Sequence, residues 1–151
     1  RIIFDERKEE NPCSLCAKMR KGALNNAAEE LGCNKIALGH NKNDVIETFL
    51  MSLIFEGRIS CFSPVSFLEK KKLYSIRPLI YVSEYETKSY ADSLGSIIVK
   101  NPCPADGSTK RQEIKELLKT LNKTYPNLNQ RIFGAVTRSL DDWKRGGVNG
   151  R

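Results

Sequence analysis

Lys35-Ile36-Ala37-Leu38-Gly39-His40-Asn41-Lys42-Asn43-Asp44-Val45-Ile46-Glu47-Thr48 changes its hydrophobic period halfway along. Lys35 to Gly39 reads as a short, buried strand. From Asp44 the apolar positions Val45, Ile46, Phe49, Leu50, Leu53 and Ile54 recur at helical spacing, and Gly57 stops the pattern. Strand, polar turn and helix in succession is how open α/β sheets present ligand groups at the carboxyl ends of their strands. The stretch therefore predicts an α/β fold with a crevice lined by His40, Asn43, Asp44 and Glu47. Each of these also has a plainer reading. Asn43 or Asp44 suits a helix N-cap, Glu47 a first turn, and His40, the only histidine, a hydrogen-bonded structural residue.

Upstream, Pro12 precedes apolar residues at Leu15, Met19, Ala23, Leu24, Ala27, Ala28 and Leu31. This is the spacing of an amphipathic helix, closed by Gly32 as a left-handed cap. Asn11-Pro12-Cys13-Ser14-Leu15-Cys16 puts two thiols at its first turn, where exposed backbone N–H groups and the helix dipole favour thiolates. Such a pair can grip a metal or cluster. A third thiol, in Asn101-Pro102-Cys103-Pro104, would close most of the coordination shell if the fold delivers it there. In the plainer reading Cys16 packs as a small apolar residue and Cys13 is incidental. Ahead of the pair, Ile2-Ile3-Phe4 reads as the end of a strand running into a charged loop.

Downstream, Glu69-Lys70-Lys71-Lys72 reads as an exposed turn between the strands Val65-Ser66-Phe67-Leu68 and Leu73-Tyr74-Ser75-Ile76. The second strand passes into Arg77-Pro78-Leu79 and so brings a cation to the same sheet edge. Ser83-Glu84-Tyr85-Glu86 is a capping box opening a helix through Tyr90 to Leu94, stopped by Gly95. Ile97-Ile98-Val99 is an extended segment leading to Cys103. Ser108 is the expected N-cap of a helix that turns Ile114, Leu117, Leu118 and Leu121 inward and leaves Lys110, Arg111, Lys115 and Lys119 largely off that stripe. A last helix after Pro126 buries Leu128, Ile132, Phe133, Val136, Leu140 and Trp143, and the Gly146-Gly147-Val148-Asn149-Gly150 tail is expected to be disordered.

The 151 residues suffice for one domain with a core, and 40% hydrophobic with 28% charged residues is a soluble globular composition. No apolar run approaches a bilayer span, so no membrane role is expected. Lys and Arg number 25 against 18 Asp and Glu, a net charge of +7 that suits polyanions such as RNA or nucleotides; a solvated basic face is the plainer account. The first residues show no secretory pattern, and five cysteines, an odd number, read as thiols or ligands rather than a disulfide framework.

Taken in order, Pro12-Cys13-Ser14-Leu15-Cys16, Ala37-Leu38-Gly39-His40, Asp44-Val45-Ile46-Glu47-Thr48, Ile76-Arg77-Pro78-Leu79 and Pro102-Cys103 resemble one family. It is that of the tRNA 2-thiocytidine synthetases of the PP-loop ATP pyrophosphatase, or adenine nucleotide alpha-hydrolase, superfamily. The similarity spans roughly residues 2 to 143. It implies a partial Rossmann-like α/β fold: a parallel sheet with flanking helices over 1–100, a helical segment of the same domain over 101–143, and a tail over 144–151. It also implies a cytoplasmic enzyme that uses ATP and Mg to adenylate the C2 oxygen of an anticodon-loop cytidine, which sulfur then replaces. In this family three cysteines hold a [4Fe-4S] cluster, and they match Cys13, Cys16 and Cys103. One iron is thereby left open for an external hydrosulfide. Cys33 and Cys61 have no counterpart in that set and read as packing thiols or as a sulfur relay.

The family's Gly-His-x-x-Asp-Asp-x-x-Glu-Thr stretch maps onto Gly39, His40, Asn43, Asp44, Glu47 and Thr48. Gly39, His40, Asn43, Asp44 and Arg77 are thus expected to bind the nucleotide, and Asp44 and Glu47 to do catalytic work. Asn43 stands where the family has its first aspartate, which moves metal or proton work to Asp44. The opening of the fourth helix, with Lys110, Arg111 and Lys115, is expected to contact tRNA phosphates. Further implied partners are a sulfur donor such as a cysteine desulfurase and a second copy in a homodimer.

The superfamily's Ser-Gly-Gly-x-Asp-Ser phosphate loop does not occur in these 151 residues. The expectation is a C-terminal portion of a longer enzyme, with an exposed sheet edge prone to self-association; the other account is a naturally shortened relative that keeps the cluster and loses ATP chemistry. A contrasting reading is a non-catalytic zinc- or Fe–S-binding RNA module in which His40 or water completes the ligand set.

Overall fold

The computed structural model describes residues 12–95, 99, 103 and 109–144. Helix α1 (Pro12–Glu30) starts on a proline, whose fixed φ suits a first helical position, and Gly32 at φ 65° ends it. Strand β1 (Lys35–Ala37) follows, then α2 (Lys42–Glu56), β2 (Val65–Leu68), β3 (Leu73–Ile76) and α3 (Glu84–Ser93). The chain continues through α4 (Lys110–Thr124), α5 (Leu128–Ser139) and the short α6 (Asp141–Lys144).

The sheet order is β1-β3-β2. β1 runs parallel to β3, with Lys35 opposite Tyr74 and Ala37 opposite Ile76. β2 and β3 form the expected antiparallel hairpin, Val65 opposite Ile76 and Leu68 opposite Leu73. The sheet is therefore mixed: the β1–β3 pair is parallel as expected, and β2 adds an antiparallel edge. Lys72, at φ 49°, takes the left-handed position of the hairpin turn, and Lys71 is ion-paired to Glu29 of α1.

The core has two parts. The smaller lies between α1 and the sheet, where Ala28, Ile36 and Leu73 are buried with Leu38 and Leu68 against them. The larger is helical, and joins Val45 and Ile46 of α2, Ile80 of the β3–α3 connection, Ile114 and Leu118 of α4, Phe133 and Val136 of α5, and Trp143 of α6. Asn122 ties α4 to α5, its side-chain amide donating to the Leu118 carbonyl at 2.8 Å and to Asn129 Oδ1 at 2.7 Å.

Four expectations change in detail. Leu117, expected inward on α4, is exposed. Of the apolar stripe on α1 only Ala28 is buried, while Met19, Leu24 and Leu31 are exposed, because among the described residues α1 meets the sheet only near its C-terminal end, where Ala28 packs with Ile36 and Leu73. The N-cap of α4 is Thr109, whose hydroxyl accepts from the Gln112 N–H at 3.3 Å; the expected cap Ser108 lies outside the described residues. The last helix breaks at Leu140, whose extended backbone separates α5 from α6 and turns Trp143 back onto the core. Ile2-Ile3-Phe4, Ile97-Ile98 and the glycine-rich tail also lie outside the described residues. Among the described residues no helix is long and apolar enough to cross a membrane.

Candidate active site at the start of the second helix

The turn after β1 is held by a reciprocal cap. Asn41, extended at φ −112°, accepts on its side-chain oxygen from the N–H groups of Asn43 at 2.9 Å and Asp44 at 3.2 Å. Asp44 Oδ2 accepts in return from the Asn41 N–H at 2.9 Å. This satisfies donors that a helix start leaves orphaned. The N-cap is thus Asn41, and the signal for it was present as an Asn three residues ahead of Asp44. Asn43 points its Oδ1 at the Glu84 N–H, 3.1 Å away, and so fastens the start of α3 to the start of α2.

One turn further along α2, Glu47 is buried, its side chain only 3% exposed. Burial, with a smaller push from the Asp44 charge, holds its carboxyl above the usual range, and the cations from α4 only partly oppose that shift. Arg111 Nη1 lies 2.9 Å from Glu47 Oε2 and 3.5 Å from Asp44 Oδ1, and its Nη2 donates to Thr48 Oγ1 at 3.2 Å. Lys115 Nζ stands 3.7 Å from Glu47 Oε1 and donates to Glu84 at 3.0 and 3.2 Å. Burial works against the lysine's charge, but the bond to Glu84 and the field of Glu47 win and hold its pKa above the ordinary value. Of the three cations expected on RNA phosphates, two are therefore engaged with carboxylates of α2 and α3. Lys110 is exposed, with its ammonium 4.8 Å from the ring centre of Phe55.

On the other side of the turn, His40 follows β1 and Arg77 follows β3, so the carboxyl ends of the two parallel strands place them together. Phe62 lies between them, its ring 4.9 Å from the His40 ring and 4.8 Å from the Arg77 guanidinium. Arg77 Nη1 donates to the Ser63 carbonyl at 2.6 Å. His40 Nδ1 and Arg77 Nε are buried and make no hydrogen bond within the protein. Burial first, and then the Arg77 charge, hold the His40 pKa below its usual value, so the imidazole is neutral at pH 7. Cys61 sits beside this group, its thiol 3.5 Å from the Val45 carbonyl, with burial pushing its pKa up to about 11. Neither Phe62 nor the Arg111 contacts were foreseen, since a lone aromatic in a loop and partners 64 residues apart leave no local pattern.

A PP-loop domain family matches residues 5–121 of the sequence. The chain belongs to that family. The PP-loop domain is 37% identical over 139 residues to a tRNA-cytidine(32) 2-sulfurtransferase of Pelobacter propionicus, covering 90% of this chain and 52% of that one. It is 42% identical over 129 residues to the same kind of protein from Dichelobacter nodosus, covering 85% and 48%. In three dimensions it is similar to the U34-tRNA thiolase NcsA from Methanococcus maripaludis, solved with its [4Fe-4S] cluster. There the TM-score is 0.69 at 30% identity, covering 89% of this chain and 45% of that one. The chain thus spans about half the length of these relatives.

In donor type, the cysteines of this PP-loop domain suit a soft metal or cluster. Cys13 is exposed and Cys16 half-buried, one turn apart at the start of α1, and Cys103 is half-buried. Among the described residues no three His, Cys, Asp or Glu side chains stand grouped as a ligand set. Cys33 is exposed in the turn that follows α1.

Proposed function

We propose that this PP-loop domain forms the sulfur-handling part of an ATP-dependent tRNA thiolase acting on an anticodon-loop cytidine. The observation that carries the reading is its identity, at 37–42% across most of its length, to tRNA-cytidine(32) 2-sulfurtransferases. In the reaction the C2 oxygen attacks the α-phosphorus of ATP, with Mg, and pyrophosphate leaves. Sulfide then adds at C2 and the oxygen departs with AMP.

Within this scheme His40 and Arg77 line the nucleotide side. The neutral imidazole and the guanidinium, with two buried nitrogens not bonded within the protein, offer hydrogen bonds to an anionic, hydroxyl-bearing ligand. Asp44, half-exposed and fixed by the cap, is the carboxylate placed to take a proton or share a metal. Cys13, Cys16 and Cys103 would hold a [4Fe-4S] cluster, and three thiolates on four irons leave one iron where hydrosulfide can be held. Lys110, exposed at the start of α4, is the cation we assign to the tRNA backbone.

The test is chemical analysis of anaerobically purified protein for iron, acid-labile sulfide and zinc, together with mass spectrometry of nucleosides from tRNA treated with ATP and sulfide by the phosphate-loop-bearing enzyme. About four irons and four sulfides per chain, with 2-thiocytidine formed, is the expected result. Stoichiometric zinc without sulfide, and no thiolated nucleoside, would overturn the reading.

A further inference from the structure

Arg111 reaches three acceptors on one face of α2, Asp44, Glu47 and Thr48, from the first turn of a helix more than sixty residues away in sequence. Its main partner is buried, with Arg111 hydrogen-bonded to one carboxylate oxygen at 2.9 Å and Lys115 ion-paired to the other at 3.7 Å. A guanidinium spread over three acceptors is a rigid fork, and a rigid fork fixes the geometry of what it holds. Glu47, with a side chain only 3% exposed and cations on both sides, is closed off from a substrate. Asp44 differs: one oxygen is fixed by the Asn41 N–H, and the other faces Arg111 at a looser 3.5 Å on a half-exposed side chain.

We propose that Arg111 is a positioning residue for Asp44, with Glu47 as its buried anchor and Lys115 as a brace to Glu84, rather than a contact to RNA. The assignment rests on the thiolase reading and deepens it, since it gives the two carboxylates of one motif different duties. Asp44 meets the reactants; Glu47 holds the cation that aims Asp44. Asn43 completes the brace, because its side chain binds the backbone of Glu84, whose carboxylate holds Lys115. Two cations then face three carboxylates, Asp44, Glu47 and Glu84. An aspartate at position 43 would add a fourth negative charge to that group.

The test compares R111Q, R111K, E47Q and the double variant R111Q/E47Q with the parent, in the phosphate-loop-bearing enzyme and in this chain. The expected result is a kcat about a hundredfold lower in R111Q, the scale of a small misplacement of a reacting group, with KM for ATP and tRNA unchanged. R111K, which keeps the charge but not the fork, recovers part of that loss. E47Q and R111Q are non-additive, because each removes the same contact. A raised KM for tRNA in R111Q, with the slope of log affinity against log salt falling by about one, would identify an RNA contact and overturn the proposal. So would a lowered Tm with unchanged kcat, which marks a purely structural tie. If the parent enzyme forms no thiolated nucleoside, the thiolase reading fails by itself. Thermal melts of this chain then decide the anchor, with non-additive Tm shifts for E47Q and R111Q supporting it and additive ones overturning it.

Discussion

Cys61 offers a direct check on the electrostatics around Arg77 and His40. Its thiol donates to the Val45 carbonyl and is half-buried beside Arg77; burial lifts its pKa from an ordinary 9.0 to about 11, with the Phe62 backbone and Arg77 only partly offsetting that. Two units correspond to about a hundredfold less thiolate at any pH well below 9. Because the thiolate is the nucleophile, alkylation by iodoacetamide at pH 8 should be slower by about that factor than for an ordinary thiol, before any further loss from restricted access. The measurement is the rate of modification of the Cys61 peptide by mass spectrometry across pH 7 to 11.5, with circular dichroism confirming that the fold persists. The apparent midpoint should lie near 11. The linkage has a definite sign. A folded-state pKa above the unfolded one contributes stability that is complete below about pH 9 and is lost as pH rises through about 11. A midpoint at or below 9 would refute the burial argument and restore Cys61 as a sulfur relay.

Three further outcomes are expected. Asn41→Ala removes both side-chain bonds of the cap on α2 and should cost about 1 kcal/mol in urea unfolding; an unchanged midpoint would show that the cap carries no weight. Lys110→Gln should lower the salt slope of tRNA binding by about one without changing which tRNAs are bound, and an unaltered slope would remove Lys110 from the RNA surface. Cys103→Ala should abolish both iron binding and thiolation while ATP affinity measured by calorimetry stays the same. Equal loss of ATP affinity would make that cysteine structural.

What the sequence revealed was whatever a local period or cap encodes. The succession of β1, turn and α2, the β2–β3 hairpin and the Ser83 cap all depend on residues within a few positions of one another; the hairpin and the Ser83 cap stand as read, while α2 starts at Lys42 on the Asn41 cap, earlier than its apolar period marks. The face of α1 shows the limit of the method. Apolar spacing states that one side of a helix is greasy but not what lies against it, and here Met19 and Leu24 are exposed. Glu47 shows another limit: a glutamate early in a helix reads equally as a catalytic group, a dipole partner or an anchor. Only the arrival of Arg111 and Lys115 from a separate helix distinguishes these. The nearness of His40 and Arg77 was legible, because both follow strands whose ends a parallel pair must align. Phe62, which fills the space between them, was not.

The convergence of α2, α3 and α4 on one group of ion pairs also bears on how this protein can be recombined with its relatives. A chimera whose crossover falls between Thr48 and Lys110 would inherit Asp44 and Glu47 from one parent and Arg111 and Lys115 from the other. Unless both parents seat the guanidinium alike, the hybrid would close around an uncompensated charge. Junctions placed before Asn41 or after Lys115 keep acids and cations together, and they are the ones at which domain shuffling should yield folded protein.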